Sequence, residues 1–303
     1  MQPRFLVMLA AYNGLEWISE QVASILSQEG VSITLLISVD ASSDGTEQWV
    51  TNLAKSDSRV SYLTHGEKFG GAARNFFRLV KEAPIDDFEY FSFADQDDIW
   101  LSNKLIQATG VMSETRSDGY SSNVTAFWPN GNERLIIKSQ PQVEYDHLFE
   151  AAGPGCTYVF SKKLFVDLQR HISTNFSCVQ SVTLHDWYCY AFSRARDYKW
   201  IIDNNSYMRY RQHSNNQVGV NSGLKAFRAR LSKVFEGWWL SQASLISRLV
   251  GTEGTPFVQS WIKLRGIDLA RLALSGYKCR RRLRDKFVFS GLCLTLVILR
   301  RKR

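Results

Sequence analysis

The stretch "FEYFSFADQDDIW" (residues 88–100) decides the fold. Its apolar run from Tyr90 to Ala94 predicts a buried β-strand. Three carboxylates, Asp95, Asp97 and Asp98, follow directly behind it. In open α/β sheets, ligands bind beyond the carboxyl ends of the strands. The stretch therefore predicts a strand that delivers negative charge to the ligand-binding edge of a sheet.

The rest of the first half repeats this alternation. Apolar runs at 5–11, 31–39 and 59–64 come before segments in which apolar residues recur at helical spacing, and the run at 88–94 comes before a similar segment near 102–114. Such βαβ repetition predicts an α/β fold with a mostly parallel sheet and helices on both faces.

Charge divides the 303-residue chain into two parts. Residues 1–222 hold 19 Lys and Arg against 25 Asp and Glu, whereas residues 223–303 hold 18 against 4. We expect an α/β domain over 1–222 and a basic helical region over 223–303. The acidic first part opposes a nucleic-acid partner, and no recognised nucleic-acid-binding motif accompanies the basic part.

Cysteine usage points to a reducing compartment. The five cysteines are widely spaced and form no C-x-x-C pair, so neither a disulfide framework nor a zinc site is indicated. The run Phe5 to Ala11 is too short for the core of a cleaved signal peptide. We expect a cytoplasmic protein.

The acidic run has two interpretations. If the chain stays extended, Asp95 and Asp97 share a face, while Gln96 and Asp98 turn away from it. Two convergent carboxylates suit Mg²⁺ or Mn²⁺. Alternatively, Asp98 favours the dipole of a helix that starts near Ser102.

Several motifs favour the cation-binding interpretation of the acidic run. "AAYNG" (10–14), "DASSDGT" (40–46), "GGAARNF" (70–76) and "DQDDIW" (95–100) occur in that order, followed by "GPGCTYVFS" (153–161), "LHDWY" (184–188) and "YRQHSNN" (210–216). Together they resemble family 2 glycosyltransferases of the GT-A fold, and the later ones resemble the bacterial rhamnosyltransferase branch. The resemblance covers roughly residues 4 to 220 and implies an inverting glycosyltransferase.

The resemblance implies a role for each matching residue. Asp40 would bind the pyrimidine base, although the family's preceding Asp is Val39 here. The cation ligands would be Asp97 and His213. The other implied donor contacts are Ala11, Tyr12, Arg74, Asp95, Gln96 and Arg211.

Asp186 matches the family's catalytic base. Glycosyl transfer needs a group that takes the proton of the acceptor hydroxyl, and a carboxylate can do so. Trp187 and Tyr188 would offer apolar faces for sugars. The other interpretation is that Asp186 caps a helix running from Trp187 to Arg194.

The basic region has amphipathic spacing over Phe227 to Phe235 and ends in an apolar run from Phe287 to Leu299. As a helix this run is about 20 Å long, against about 30 Å for the apolar core of a bilayer. Because basic residues flank it on both sides, we expect it to lie on the inner surface of the cytoplasmic membrane. The alternative is a helix docked on the enzyme domain.

Substrates follow from the resemblance alone. It implies dTDP-L-rhamnose as donor and a free or lipid-linked saccharide acceptor in surface polysaccharide or lipopolysaccharide synthesis. The alternatives are a UDP-hexose-dependent enzyme of the same family and a non-catalytic GT-A protein that binds sugars or nucleotides.

Overall fold

The structure is a computed structural model and describes residues 2–213 and 237–301. The expected helix over Phe227 to Phe235 and the expected domain boundary at 222/223 both lie outside the described residues.

Nine strands form one sheet within the described residues. They are β1 Arg4–Ala11, β2 Ser32–Val39, β3 Val60–Tyr62, β4 Tyr90–Ala94, β5 Ile99–Trp100, β6 Gly119–Phe127, β7 Glu133–Ile136, β8 Val159–Ser161 and β9 Trp200–Arg211. Their order is β3-β2-β1-β4-β8-β6-β9-β5, with β7 beside β6. The run from β3 to β4 is parallel, as predicted, while β8 joins its neighbours antiparallel.

Helices cover both faces of this sheet. In the first part they are α1 Ile18–Leu26, α2 Thr46–Ser56, α3 Ala72–Glu82, α4 Lys104–Thr115, α5 Lys162–Thr174, α6 Phe176–Val179 and α7 His185–Ala195. In the second part they are α8 Trp238–Leu249, α9 Pro256–Gln259, α10 Gly266–Leu274, α11 Gly276–Cys279 and α12 Leu283–Arg301.

Strand β1 shows why the sheet is covered on both sides. Its side chains alternate between two hydrophobic clusters, with Leu6 and Met8 in one and Val7 and Leu9 in the other. Successive residues of a strand point to opposite faces, so an unbroken apolar run needs cover on both. The expected α/β architecture is confirmed.

The C-terminal helix α12 is docked on the rest of the chain along one side. Phe289, Cys293 and Leu296 are buried in the same cluster as the α3 and α7 residues. Its other side leaves Phe287 72% and Ile298 58% exposed. The docked alternative is therefore confirmed for one face, and association of the exposed face with a membrane stays a prediction. No helix among the described residues is long and apolar enough to cross a bilayer.

The expected role of Asp98 at a helix N-terminus is wrong. Helix α4 begins only at Lys104, with Asn103 before it. Asp98 is fully buried, and its Oδ1 accepts a hydrogen bond from the Arg211 backbone N–H at 3.1 Å. The chain turns after Ala94 instead of continuing extended, so Asp98 enters the protein interior.

Candidate active site

A cavity of about 1140 Å³ opens at the carboxyl ends of the parallel strands. Residues that follow β1, β2 and β4 line it, as do the start of α7 and the segment before α12. Seven of the predicted site residues lie in its wall together with Asp186: Ala11, Tyr12, Asp40, Asp95, Gln96, Asp97 and His213. The sheet thus brings distant parts of the sequence to one place.

Asp40 holds the glycine-rich loop in the wall of this cavity. Its two carboxylate oxygens accept hydrogen bonds from the backbone N–H groups of Phe69 at 2.8 Å and Gly70 at 3.0 Å. Asp40 is only 4% exposed. Each carboxylate oxygen has a further lone pair that a ligand can use. Asp40 can therefore hold the loop and also accept a hydrogen bond from an N–H group of a nucleobase.

Gln96 fixes the backbone of Tyr12. The Tyr12 N–H donates to Gln96 Oε1 at 2.7 Å, and Gln96 Nε2 donates to the Tyr12 carbonyl at 2.9 Å. A Cβ atom at Gly14 would lie 2.2 Å from Gln96 Oε1, so only glycine leaves room for this arrangement. The Tyr12 ring, 54% exposed, is free to form one wall for a planar base.

Asp97 and His213 meet at the wall of the cavity. His213 Nε2 lies 2.7 Å from Asp97 Oδ2, and the His213 ring stacks on Trp17 with centroids 4.1 Å apart. The two residues are 116 positions apart in the chain. The proximity that the motifs implied is therefore present, and the Trp17 ring fixes the imidazole plane.

Asp95 has a raised pKa and lies close to Asp98 and Cys156. Burial, the Asp97 charge and then the Asp186 charge raise its pKa to about 7. Oxygens of Asp95 and Asp98 and the Cys156 sulfur all lie within 4.8 Å of one another. The expectation that Asp98 points away from Asp95 is therefore wrong, because the turn after Ala94 brings both carboxylates to the Cys156 thiol.

The carboxylate of Asp97 and the imidazole of His213, whose Oδ2 and Nε2 atoms lie 2.7 Å apart, are donor groups that fit a divalent cation. Carboxylate oxygens suit Mg²⁺ and Mn²⁺, which bind through one or two carboxylates together with substrate phosphates. The set Asp95, Asp98 and Cys156 fits less well, because burial raises the pKa of Cys156 well above its usual value and keeps the thiol protonated. Neither Asp98 nor Cys156 lines the cavity.

Asp186 faces the same cavity from the first turn of α7. Burial raises its pKa to about 6, against the opposing effects of the Trp187 N–H and the Lys138 ammonium. The helix is preceded by Leu184, which makes no side-chain cap, and Asp186 Oδ1 accepts from the adjacent Trp187 N–H at 2.7 Å. Asp186 is therefore not the N-cap residue of α7, and a carboxylate with a raised pKa can accept a proton.

Besides Tyr188, three expected ligand contacts are not in the cavity wall. Trp187 is 3% exposed, and its Nε1 donates to the His147 carbonyl, so the expectation that it stacks on sugars is wrong. Its neighbour Tyr188 is fully buried. Arg74 instead links Gln180 to Phe69 through their carbonyls.

Arg211, the third, clamps the acidic turn. Its Nε donates to the Asp97 carbonyl at 2.7 Å, and its guanidinium pairs with Glu20. In this conformation it stabilises the turn from behind the cavity. A direct contact with a diphosphate would require this ion pair to open.

Two groups near Asp186 were not predicted as site residues. Lys138 and His185 both line the cavity beside Asp186. Burial lowers the pKa of His185 to about 3, and its ring stacks on Phe76 at 3.9 Å. His185 is therefore a neutral support. The motif "LHDWY" contained it, whereas nothing local marks Lys138.

Comparison with known proteins agrees with this geometry. The model for "Glycosyl transferase family 2" matches residues 6–162. The chain is also 40% identical over 279 residues to the dTDP-rhamnosyl transferase RfbG of Shigella flexneri, covering 92% of this chain and 96% of the relative. The chain belongs to glycosyl transferase family 2. A second family member, the UDP-Glc:alpha-D-GlcNAc-diphosphoundecaprenol beta-1,3-glucosyltransferase WfgD of Escherichia coli, is 31% identical over 154 residues, half of this chain and 58% of its own.

Solved structures show that this glycosyltransferase has the GT-A fold. The TarS fragment 1–349 of S. aureus in complex with UDP superposes with a TM-score of 0.57 at 15% identity and covers 100% of this chain and 92% of that one. The mannosyltransferase PcManGT of Pyrobaculum calidifontis, in complex with GDP-Man and Mn²⁺, gives 0.52 at 16% identity, with 98% and 87% covered. At such identities the likeness concerns the fold.

Proposed function

We propose that this glycosyltransferase moves L-rhamnose from dTDP-L-rhamnose to a hydroxyl group of a saccharide acceptor in the synthesis of a bacterial surface polysaccharide. The observation that carries the proposal is the position of Asp186, which shares one cavity with Asp97, His213 and Asp40. The rhamnosyl donor is supported by the 40% identity to the Shigella flexneri relative over nearly its whole length.

Asp186 is the proposed catalytic base. It accepts the proton of the acceptor hydroxyl as that oxygen attacks the anomeric carbon, and the nucleoside diphosphate leaves from the opposite side, so the configuration inverts. A pKa of about 6 leaves Asp186 mostly ionised at neutral pH while making it a stronger base than an exposed aspartate.

The donor occupies the part of the cavity nearer to β1 and β2. Asp40 accepts a hydrogen bond from the nucleobase, and the Tyr12 ring covers one side of the nucleotide. Gln96 keeps the Tyr12 backbone in place. Asp97 and His213 would hold Mg²⁺ or Mn²⁺. When bound, such an ion supplies positive charge against the diphosphate.

We also propose that residues 223–303 form a basic region that brings the enzyme to the inner surface of the cytoplasmic membrane. The exposed apolar side chains of α12 support this, since Phe287, Leu294 and Ile298 are each about half exposed or more. A contiguous apolar surface flanked by arginines is typical of a membrane-surface helix.

A donor screen tests the proposal. Purified protein is incubated with dTDP-L-rhamnose, UDP-glucose or GDP-mannose, and released nucleoside diphosphate is measured with and without Mn²⁺. We expect metal-dependent release of dTDP above the release of UDP or GDP. Preferential release of UDP would instead assign a UDP-hexose donor, the alternative suggested by the Escherichia coli relative.

A further inference from the structure

The cavity continues beyond Asp186 into a strongly basic compartment. The C-terminal segment forms much of its wall, together with residues at and just after β7. Among the residues that the structure describes, two acidic side chains, Glu150 and Asp285, lie among its basic ones. The basic lining residues are Arg134, Lys138, Arg280, Arg281, Arg282 and Arg284.

Asp186 lies between this compartment and the cation site. On one side its charge contributes to the raised pKa of Asp95. On the other side its negative charge raises the pKa of Lys138, which burial and then the Arg281 charge lower. A Cβ at Gly153 would lie 3.8 Å from Lys138 Cβ, and one at Gly155 would lie 3.4 Å from Asp186 Cβ. One short loop therefore borders both Lys138 and the base.

Half of the basic side chains are already neutralised. Arg281 pairs with the buried Asp146 at 3.1 Å, Arg280 with Glu150 at 3.5 Å, and Arg284 with Asp285 at 3.0 Å. These pairs attach the C-terminal segment to the enzyme domain. They also place the remaining positive charges at the cavity.

The other three cations form no ion pair within the described part of the chain: Arg134, Lys138 and Arg282. Burial and Arg281 lower the pKa of Lys138, and Arg280 adds to this repulsion, whereas Glu150 and Asp186 raise the pKa. Because basic side chains outnumber these carboxylates at a concave surface, the local potential favours an anion there.

We infer that Lys138, Arg134 and Arg282 form an anion-binding subsite for a phosphate or diphosphate group of the acceptor. This subsite lies on the side of Asp186 away from the Asp97–His213 pair, so it is separate from the place of the donor diphosphate. The inference rests on the proposed glycosyl transfer and adds the chemical class of the acceptor.

The surroundings of the subsite favour a phosphate carried by a lipid. Leu283 and Phe287 alternate with the arginines at the start of α12 and are 69% and 72% exposed. An apolar chain can lie along these side chains while its phosphate reaches Arg282 and Lys138. Charge-assisted hydrogen bonds of this kind are the strong ones.

Farnesyl diphosphate is a suitable probe. The full chain is titrated with it by calorimetry, alone and with whichever of dTDP, UDP or GDP binds. We expect saturable binding that persists when the nucleotide site is full. Lys138→Gln and Arg282→Gln should each weaken this binding roughly tenfold or more, because each removes a charge-assisted contact.

The matched control is Lys263→Gln, since Lys263 is exposed and lies outside the cavity. It should leave binding unchanged. Farnesol, which lacks phosphate, should bind at least tenfold more weakly and equally to all variants. Inorganic pyrophosphate separates the two sources of phosphate: binding that is equally tight and equally sensitive to Lys138→Gln supports the subsite without a role for the lipid chain.

Three results would overturn the inference. If nucleotide displaces farnesyl diphosphate, or if both variants weaken nucleotide binding by the same factor, the basic groups belong to the donor site. If neither variant changes farnesyl diphosphate binding, the subsite is elsewhere. Failure of the donor screen would leave these titrations intact, so the two proposals can fail separately.

Discussion

Replacing Asp186 by Asn separates catalysis from structure. The amide keeps the shape and can still accept from the Trp187 N–H, which lies 2.7 Å from Oδ1. It cannot take a proton at neutral pH. Positioned general bases contribute about 10² to 10⁴ in rate, equivalent to about 2.7 to 5.5 kcal/mol of transition-state stabilisation. We expect turnover to fall by at least the lower factor, with donor affinity unchanged.

The raised pKa of Asp186 adds a stability signature with a definite sign. The folded-state pKa of about 6 exceeds the ordinary value of 3.8, so the folded protein binds this proton more tightly than the unfolded chain. The associated stability is complete below pH 3.8 and is lost as the pH rises through 6. This rise in the pKa of Asp186 corresponds to a change of about 3 kcal/mol in the free energy of unfolding, as an upper limit. Asp186→Asn should therefore be more stable than the parent above pH 6, and equally stable near pH 4.

Both effects are measured on one preparation. Released nucleoside diphosphate gives turnover, titration with donor gives affinity, and urea unfolding at pH 4 and pH 7 gives the free energy of unfolding. In the parent enzyme, turnover should be half-maximal near pH 6 and decline about tenfold per unit below it. Near-normal turnover in Asp186→Asn would falsify the catalytic role. A loss of stability at pH 7 would instead make Asp186 a structural residue.

Three further perturbations test the cation site, the loop beside the base and the C-terminal helix. Asp97→Ala should abolish Mn²⁺-dependent nucleotide binding without lowering the melting temperature, and retention of that dependence would place the metal elsewhere. Gly155→Ala should reduce turnover about tenfold or more but leave donor affinity unchanged, because its Cβ would lie 2.5 Å from His185 Nε2, next to Asp186. The control Gly153→Ala, whose Cβ would lie 3.5 Å from its nearest neighbour, should leave turnover nearly unchanged. Phe287→Ser combined with Ile298→Ser should weaken binding to anionic vesicles tenfold or more at unchanged melting temperature, whereas Phe289→Ser, at a 2% exposed position, should lower the melting temperature. Equal vesicle binding by the parent and the double variant would rule out membrane association through this face.

Local periodicity predicted the first half of the fold well. The apolar runs at 5–11 and 31–39 became β1 and β2 with nearly the same bounds. Parallel strands converge at their carboxyl ends, so the positions of Asp40, Asp95 and Asp97 in one cavity followed from the βαβ pattern. Asp186 and His213 joined them through the family resemblance, since no local pattern relates residues so far apart.

The misplaced residues show where local reasoning fails. Successive residues of an α-helix are about 100° apart around its axis, so with Asp186 facing the cavity, Trp187 turns into the core. Lys138 and Arg282 were missed for a different reason. The Lys138 backbone N–H donates to Asn123 Oδ1, and Arg281, the neighbour of Arg282, binds Asp146 across 135 positions; no periodicity encodes these contacts. The arginines before α12 were interpreted as membrane contacts, whereas the structure places several of them in the cavity wall.

The crowding of carboxylates after β4 has a physical explanation in the burial of Asp98. Burying a carboxylate without a partner costs free energy. Asp98 accepts a hydrogen bond from the Arg211 N–H, and the side chain of Lys104 interacts with it electrostatically. Lys104 is 2% exposed, and its Nζ lies 3.6 Å from the centre of the Trp100 ring. Because Arg211 Nε also donates to the Asp97 carbonyl, the end of β9 is tied to the acidic turn at two points. His213 follows two residues later and reaches Asp97. Asp98 therefore acts as a positioning residue: its buried carboxyl group holds the end of β9 against the acidic turn, and this places His213 beside Asp97.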